Sequence, residues 1–153
     1  MVKVLMVCLG NICRSPLAEG ILKSKVDDSF VLVDSAGTGG WHIGELPDVR
    51  SIGIAKQNEI DISDQRCRKF ISADFEEFDH IYVMDRNNLS DVLSVAKSEI
   101  HRKKVKMILN IEGGEDSLEV PDPYYGGESG FQDVFKLLDN ACDQIAKSLN
   151  NEK

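Results

Sequence analysis

Short apolar runs alternate with amphipathic stretches along the whole chain. Val2–Val7 is a β-branched, apolar run that ends in a Cys–Gly–Asn turn region, the pattern of a buried strand. Ser15-Pro16 then opens a helix, with Ser15 as the cap and Pro16 at the first helical position. Leu17, Ala18, Ile21, Leu22 and Val26 give that helix one apolar face. Phe30–Val33 reads as a second strand, ended by Asp34-Ser35-Ala36-Gly37. A glycine-rich loop, Thr38–Pro47, leads to a helix over Asp48–Asn58 with Asp48 as its cap. His80–Met84 and Val105–Leu109 read as the third and fourth strands, with a helix from Arg86 to Ala96 between them. Residues 110–129 read as a long loop, a length that in compact domains usually serves function. Phe131, Val134, Phe135, Leu138, Ala141, Cys142, Ile145 and Leu149 recur at helical spacing and predict a long last helix.

Strands separated by helices imply parallel βαβ units with right-handed crossovers. The expected fold is therefore α/β, a three-layer αβα sandwich with a four-stranded parallel sheet and helices on both faces. The length of 153 residues suits one domain spanning 1–153. In such sheets ligands bind beyond the carboxyl ends of the strands. Cys8, Asp34-Ser35, Asp85 and the 110–129 loop all converge at that end.

Hydrophobic residues at 42% and charged residues at 29% exclude a disordered or fibrous chain. No apolar run approaches the roughly 18 residues needed to span a bilayer, so no membrane association is expected. Eighteen basic against 26 acidic residues give a net charge of −8, which argues against a nucleic-acid partner. Four cysteines without framework spacing, and no secretory signal in the first eight residues, point to a reducing, cytoplasmic setting.

The chemistry concentrates in Cys8-Leu9-Gly10-Asn11-Ile12-Cys13-Arg14-Ser15-Pro16. The stretch joins a buried strand to a helix N-terminus, where unpaired N–H groups and the helix dipole favour an anion. It lacks the Gly-Lys-Ser/Thr ending of a Walker loop. A cysteine ringed by N–H groups, an arginine and a helix terminus is favoured as the thiolate, the nucleophilic form. Arg14 can grip two oxygens of a phosphoryl group in a bidentate fork. The Ser15 hydroxyl is placed to donate to the Cys8 sulfur. Attack on phosphorus also needs an acid for the leaving oxygen, and Asp122 in Asp122-Pro123-Tyr124-Tyr125-Gly126-Gly127 supplies a candidate. Residues 107–135 carry seven carboxylates and no Lys or Arg, a crowding that favours a protonated Asp122.

The two loops together resemble those of the low-molecular-weight protein tyrosine phosphatase family. Asp34-Ser35-Ala36-Gly37-Thr38, Trp41, Pro47-Asp48, Asp74-Phe75, Met84-Asp85 and Asn88 fall in the order seen in that family, so the resemblance runs the whole chain. It implies that Cys8 is the nucleophile forming a phosphocysteine and that Arg14 binds the phosphate. Asp122 is then the general acid and later the base. By the same resemblance Leu9, Gly10, Asn11, Ile12, Cys13 and Arg14 form the phosphate loop, and Asn11 and Ser35 hold its shape. Ser15 assists the thiolate. Trp41, Tyr124 and Tyr125 wall the substrate cleft, with Leu9 at its floor and Ile12 at its rim. Gln65 stands where many members have a histidine that buttresses the asparagine. The substrates implied are phosphotyrosine proteins or small aryl phosphates, without metal or cofactor, handled by a monomer or at most a weak dimer.

Other activities fit the same scaffold. A phosphoarginine phosphatase favours a small polar residue where this chain has Ile12, and an arsenate reductase needs a redox cysteine pair that Cys67 and Cys142 lack by spacing. A binding module without turnover has no use for Asp122. His42, His80 and His101 are scattered and read as incidental, Cys67 reads as an incidental thiol in a charged stretch, and Cys142 as a core thiol. His101–Lys106 reads as a solvated approach to the fourth strand. Cys13, five residues from Cys8, is expected to form a protective disulfide with it under peroxide.

Overall fold

The computed structural model describes residues 1–111, 118–125 and 128–152, with the backbone alone at 125 and 128. Four strands form the sheet, β1 (Val2–Cys8), β2 (Val31–Gly37), β3 (His80–Val83) and β4 (Val105–Met107), in the order β2-β1-β3-β4 and all parallel. The chain steps from β1 to one edge and then returns to β1's other side, so helices must cover both faces. On one face lie α1 (Arg14–Lys23), α2 (Val49–Gln57) and α6 (Glu128–Asn150). The other carries α3 (Asp74–Glu77) and α4 (Arg86–Leu93), with α5 (Glu99–Lys103) leading into β4. The three-layer α/β expectation is met.

β1 is central, and residues Val4–Cys8 are all buried. Its alternate residues feed two cores: Val4, Met6 and Cys8 join the α1/α6 cluster, while Leu5 and Val7 join the cluster of Phe70, Phe75 and Phe78. Burial on both faces explains a near-continuous apolar run in place of alternation. The stripe read at helical spacing in α6 is buried from Phe131 to Leu149.

Several boundaries move. β2 runs to Gly37 and so includes Asp34 and Ser35, which pair with Leu5 and Met6 of β1. β4 ends at Met107, where the chain tightens into a 3₁₀ turn over Ile108–Asn110. α4 stops at Leu93, and α3 and α5 were not anticipated. α5 overlaps the first half of the stretch read as a solvated approach. His101 in it is largely buried, its ring stacked on Phe75 at 4.6 Å. Ser15 does not cap α1: Cys13 holds the cap position and Arg14 is already helical. Asp48 does cap α2, accepting from the Arg50 N–H at 2.8 Å.

The β2-β1-β3 order puts the switch point beside β1, so a ligand cleft is expected off its carboxyl end. That end is Cys8.

Candidate active site

The loop between β1 and α1 wraps a cavity of about 290 Å³. Cys8, Cys13 and Arg14 line its buried part; Leu9, Gly10, Ile12, Trp41, His42, Asp122 and Tyr124 complete the walls. Close approach of neighbouring backbones fixes the loop's shape. A Cβ on Gly37 would lie 2.8 Å from the Leu9 carbonyl oxygen and 3.0 Å from the Asn11 nitrogen, so only glycine lets β2 end against the loop. The Thr38 and Gly39 N–H groups donate to the Cys8 and Leu9 carbonyls at 2.9 and 2.8 Å. Asn11 sits at φ 57°, the left-handed region that Asn tolerates better than most residues.

Asn11 holds that conformation through its side chain. Its amide donates to Ser15 Oγ at 2.8 Å and Ser35 Oγ at 3.0 Å, and its Oδ1 accepts from the Arg68 N–H at 2.9 Å. Ser35 in turn donates to Glu19 at 2.7 Å. Glu19 is buried, and that burial raises its carboxyl above the usual range although Lys23 also bonds it at 2.6 Å. Ser15 Oγ lies 3.0 Å from Cys8 Sγ. The hydroxyl expected to cap the helix thus faces the thiol. The Gln65 amide donates to the Pro16 carbonyl at 3.1 Å, and it is the backbone N–H of Arg68 that bonds the Asn11 side chain.

Arg14 is 2% exposed, a buried guanidinium that needs partners. Burial opposes its charge, but Cys8, Asp85 and Asp122 outweigh that and raise its pKa. Nη1 donates to Asp85 Oδ2 at 2.7 Å and to the Val120 carbonyl at 2.9 Å. The other oxygen of Asp85 accepts from the Asn88 N–H at 2.8 Å, so one carboxylate caps α4 and aims Arg14. Asp122 approaches from the other side, its Oδ2 3.7 Å from Arg14 Nη2. Of the carboxylates expected to crowd Asp122, Glu112, Glu115 and Asp116 lie outside the described residues; the charge facing it is Arg14.

Asp122 stands at the start of a 3₁₀ turn, Pro123–Tyr125, and accepts from the Tyr124 N–H at 3.0 Å. Arg50 ties this turn to α2. It donates to the Tyr124 carbonyl at 3.1 Å and lies over the rings of Tyr124 and Phe131 at 5.3 and 4.7 Å. The side chain of Tyr125 and all of Gly126-Gly127 lie outside the described residues.

Three cysteines are held as thiols. Burial pushes Cys13 and Cys142 up to about 12 and Cys67 up to about 11. Cys67 is neither exposed nor incidental: its Sγ donates to the Asn11 carbonyl at 2.8 Å. Cys142 bonds the Ala18 carbonyl at 3.8 Å and belongs to the α1/α6 core. Leu9, expected at the floor, is 39% exposed and belongs to the mouth. His42, read as incidental, lines the cavity and bonds Glu45 at 3.0 Å. Among the described residues, no three metal-ligating side chains cluster, and no helix is long and apolar enough to cross a membrane.

The sequence reading brought Cys8, Arg14 and Asp122 together, and with them Asn11, Ser15 and Ser35. It missed Glu19, Arg50, Cys67 and the Val120 carbonyl, and gave Asp85 no role. Only Glu19 left a local signal, a charge amid the apolar face of α1.

A family model described as low molecular weight phosphotyrosine protein phosphatase matches residues 3–153. The phosphatase of that description from Schizosaccharomyces pombe is 39% identical over 153 residues, 97% of each chain. A crystal structure of a protein tyrosine phosphatase from Entamoeba histolytica, with Hepes in its active site, superposes with a TM-score of 0.91 at 36% identity, covering 99% of both chains. Wzb of Vibrio vulnificus, solved with benzylphosphonate, gives a TM-score of 0.85 at 29% identity over 96% of this chain and 98% of its own. The match over residues 3–153, the identity along nearly the whole chain and the common fold make this chain a member of the low molecular weight phosphotyrosine protein phosphatase family.

Proposed function

We propose that the single domain 1–153 hydrolyses phosphotyrosine and small aryl phosphates by two displacements at phosphorus, with Cys8 as nucleophile. The observation that carries this reading is the meeting of Cys8, Arg14 and Asp122 on one cavity. In the first step Cys8 Sγ bonds to phosphorus, the P–O bond to the phenol breaks, and Asp122 gives its proton to the departing oxygen. Arg14, already aimed by Asp85 and Val120, takes two phosphoryl oxygens and holds them in line. In the second step Asp122 removes a proton from water, the hydroxyl bonds to phosphorus and the S–P bond breaks. Ser15 stabilises the sulfur as it leaves, from 3.0 Å.

Cys8 is 2% exposed, so its substrate must reach inward. A phosphotyrosine is long enough, and its ring meets Trp41, Ile12 and Tyr124 on the way. The benzylphosphonate bound to Wzb is an aryl-bearing phosphorus acid of the same shape. Four free cysteines, three of them held as thiols, suit a reducing cytoplasm.

Cys8→Ser is expected to bind inorganic phosphate yet turn over no substrate, and rapid quench of the wild type to trap a phosphoenzyme. Asp122→Ala is expected to slow phosphotyrosine roughly 10²–10⁴-fold, and a highly activated aryl phosphate far less. Turnover by Cys8→Ser near the wild-type rate would remove the mechanism.

A further inference from the structure

Cys8 and Asp122 stand on distant parts of the chain, and one side chain spans the gap between their supports. α2 begins against the β1–α1 loop. The Asp48 N–H donates to the Ile12 carbonyl at 2.8 Å, and the Ser51 hydroxyl to the Cys13 carbonyl at 3.2 Å. Arg50 lies between these two residues, so its backbone is fixed against the loop that follows Cys8. Its side chain reaches the turn that carries Asp122, across 74 residues of sequence.

Asp48 aims it. Arg50 Nε and Nη2 donate to the two Asp48 oxygens, each at 3.0 Å, a fork that lysine cannot make. Burial opposes the charge on Asp48, but the bonds from Arg50 outweigh it and hold its carboxyl below the usual range. Nη1 then donates to the Tyr124 carbonyl, and the guanidinium lies over the Phe131 and Tyr124 rings, a contact favourable to a cation. Tyr124 passes the constraint on, since its N–H holds Asp122 Oδ1 at 3.0 Å. Pro123 is buried, but the Asp122 side chain is 35% exposed and Tyr124 is 41% exposed, so directional bonds matter for the turn's orientation. Arg50 is not among the residues that line the cavity.

We propose that Arg50 is a positioning residue, the strut that sets the Asp122 carboxyl against the Cys8 sulfur and so governs proton transfer to the leaving oxygen. The proposal rests on the phosphatase reading above. A general acid serves only an atom within hydrogen-bond reach. About 1 Å of slack in the turn is therefore enough to lose much of its effect. A substrate whose leaving group needs no proton is indifferent to that slack.

The test is a double-mutant cycle between Arg50→Met and Asp122→Asn, read as kcat/KM on phosphotyrosine and on dinitrophenyl phosphate. Methionine keeps an apolar stem over the two rings and removes every donor. Asparagine keeps an acceptor for the Tyr124 N–H and removes the acid. Arg50→Met is expected to slow phosphotyrosine about 10- to 100-fold, the scale of one hydrogen bond from a charged group. Dinitrophenyl phosphate, with a leaving group that needs no proton, is expected to stay within about threefold. In the Asp122→Asn protein the same change is expected to cost less than about twofold on either substrate. The Arg50 side chain is 38% exposed and its backbone N–H still bonds Asp48, so the fold is not at risk. Equal losses on the two substrates overturn the proposal, as does a loss of the same size with and without the Asp122 carboxyl. So does phosphotyrosine turnover at the wild-type rate in Arg50→Met. Asp122→Asn slowing both substrates alike would instead defeat the assignment of Asp122 as the acid, and this inference with it.

Discussion

The Cys67 thiol donates to the Asn11 carbonyl at 2.8 Å, while the next residue, Arg68, donates its N–H to the Asn11 side chain at 2.9 Å. One dipeptide thus grips both ends of the residue that turns the β1–α1 loop through positive φ. A conformation of that kind costs about 1–3 kcal/mol and persists only when its surroundings hold it. Arg68 is itself anchored, its guanidinium on Asp74 and Asp34 at 3.1 Å.

Cys67→Ala removes one of these holds, and kcat/KM is expected to fall roughly 3- to 10-fold, the scale of one neutral hydrogen bond. The inhibition constant of inorganic phosphate should rise in parallel, because the loop and not the acid is disturbed. Cys67→Ser keeps a donor and should stay within about twofold of wild type. Equal losses in both variants would show that packing alone matters at this position.

The contrast between Cys8 and Cys67 shows what a sequence can reveal. Cys8 through Arg14 is one contiguous strand, loop and helix start, so its chemistry is local and legible. Arg14 meets Asp85 and Val120 across 71 and 106 residues, and no spacing rule connects them. Cys67 sits among Arg66, Arg68 and Lys69 and looks exposed, yet its backbone is bonded to Glu45 and its side chain is turned inward. Ser15 and Ser35 are legible only in part. Each is a polar residue at an apparent boundary, a cap in one case and a strand end in the other. Both are buried because Asn11, Glu19 and the Cys8 sulfur satisfy them, and that network exists only once β1 and β2 have paired.

Two glycines should respond in opposite ways to the same change. Gly37→Ala drives a methyl group into the Leu9 and Asn11 backbone, and those atoms can move only by reshaping the β1–α1 loop. Since about 1 Å of misplacement can cost about 10²-fold, a loss of that order in kcat/KM is expected, with weaker phosphate binding. Gly53 lies within α2 and nothing comes within 4 Å of its added Cβ. Gly53→Ala should raise stability by about 0.5–1 kcal/mol and leave turnover intact. Chemical denaturation and steady-state rates on the pair separate the two effects.

Asn11 can be dissected between backbone and side chain. Asn11→Gly keeps the left-handed turn at no steric cost but loses the bonds to Ser15, Ser35 and Arg68. Asn11→Ala loses those bonds and adds backbone strain. Both should be slower than wild type, with Asn11→Ala the less stable of the two by about 1 kcal/mol, the cost of αL for a residue with a Cβ. Equal stability of the variants would mean that the loop relaxes out of positive φ once the side chain is gone.

Glu19 gives the fold a distinctive pH response. Desolvation raises its carboxyl above the unfolded value of 4.5, while the bonds from Lys23 and Ser35 only partly oppose this. A carboxyl raised in the folded state binds its proton more tightly there than in the unfolded chain. Its favourable contribution is therefore complete below pH 4.5 and is lost as pH rises through the folded value. At neutral pH the ionised Glu19 is a net cost. Glu19→Gln keeps an oxygen to accept from Ser35 and removes the charge. It should raise the Tm at pH 7, and its advantage over wild type should shrink as pH falls towards 4. Scanning calorimetry of both proteins across that range measures the difference. A variant less stable than wild type at pH 7 would mean that the Lys23 and Ser35 bonds outweigh the burial.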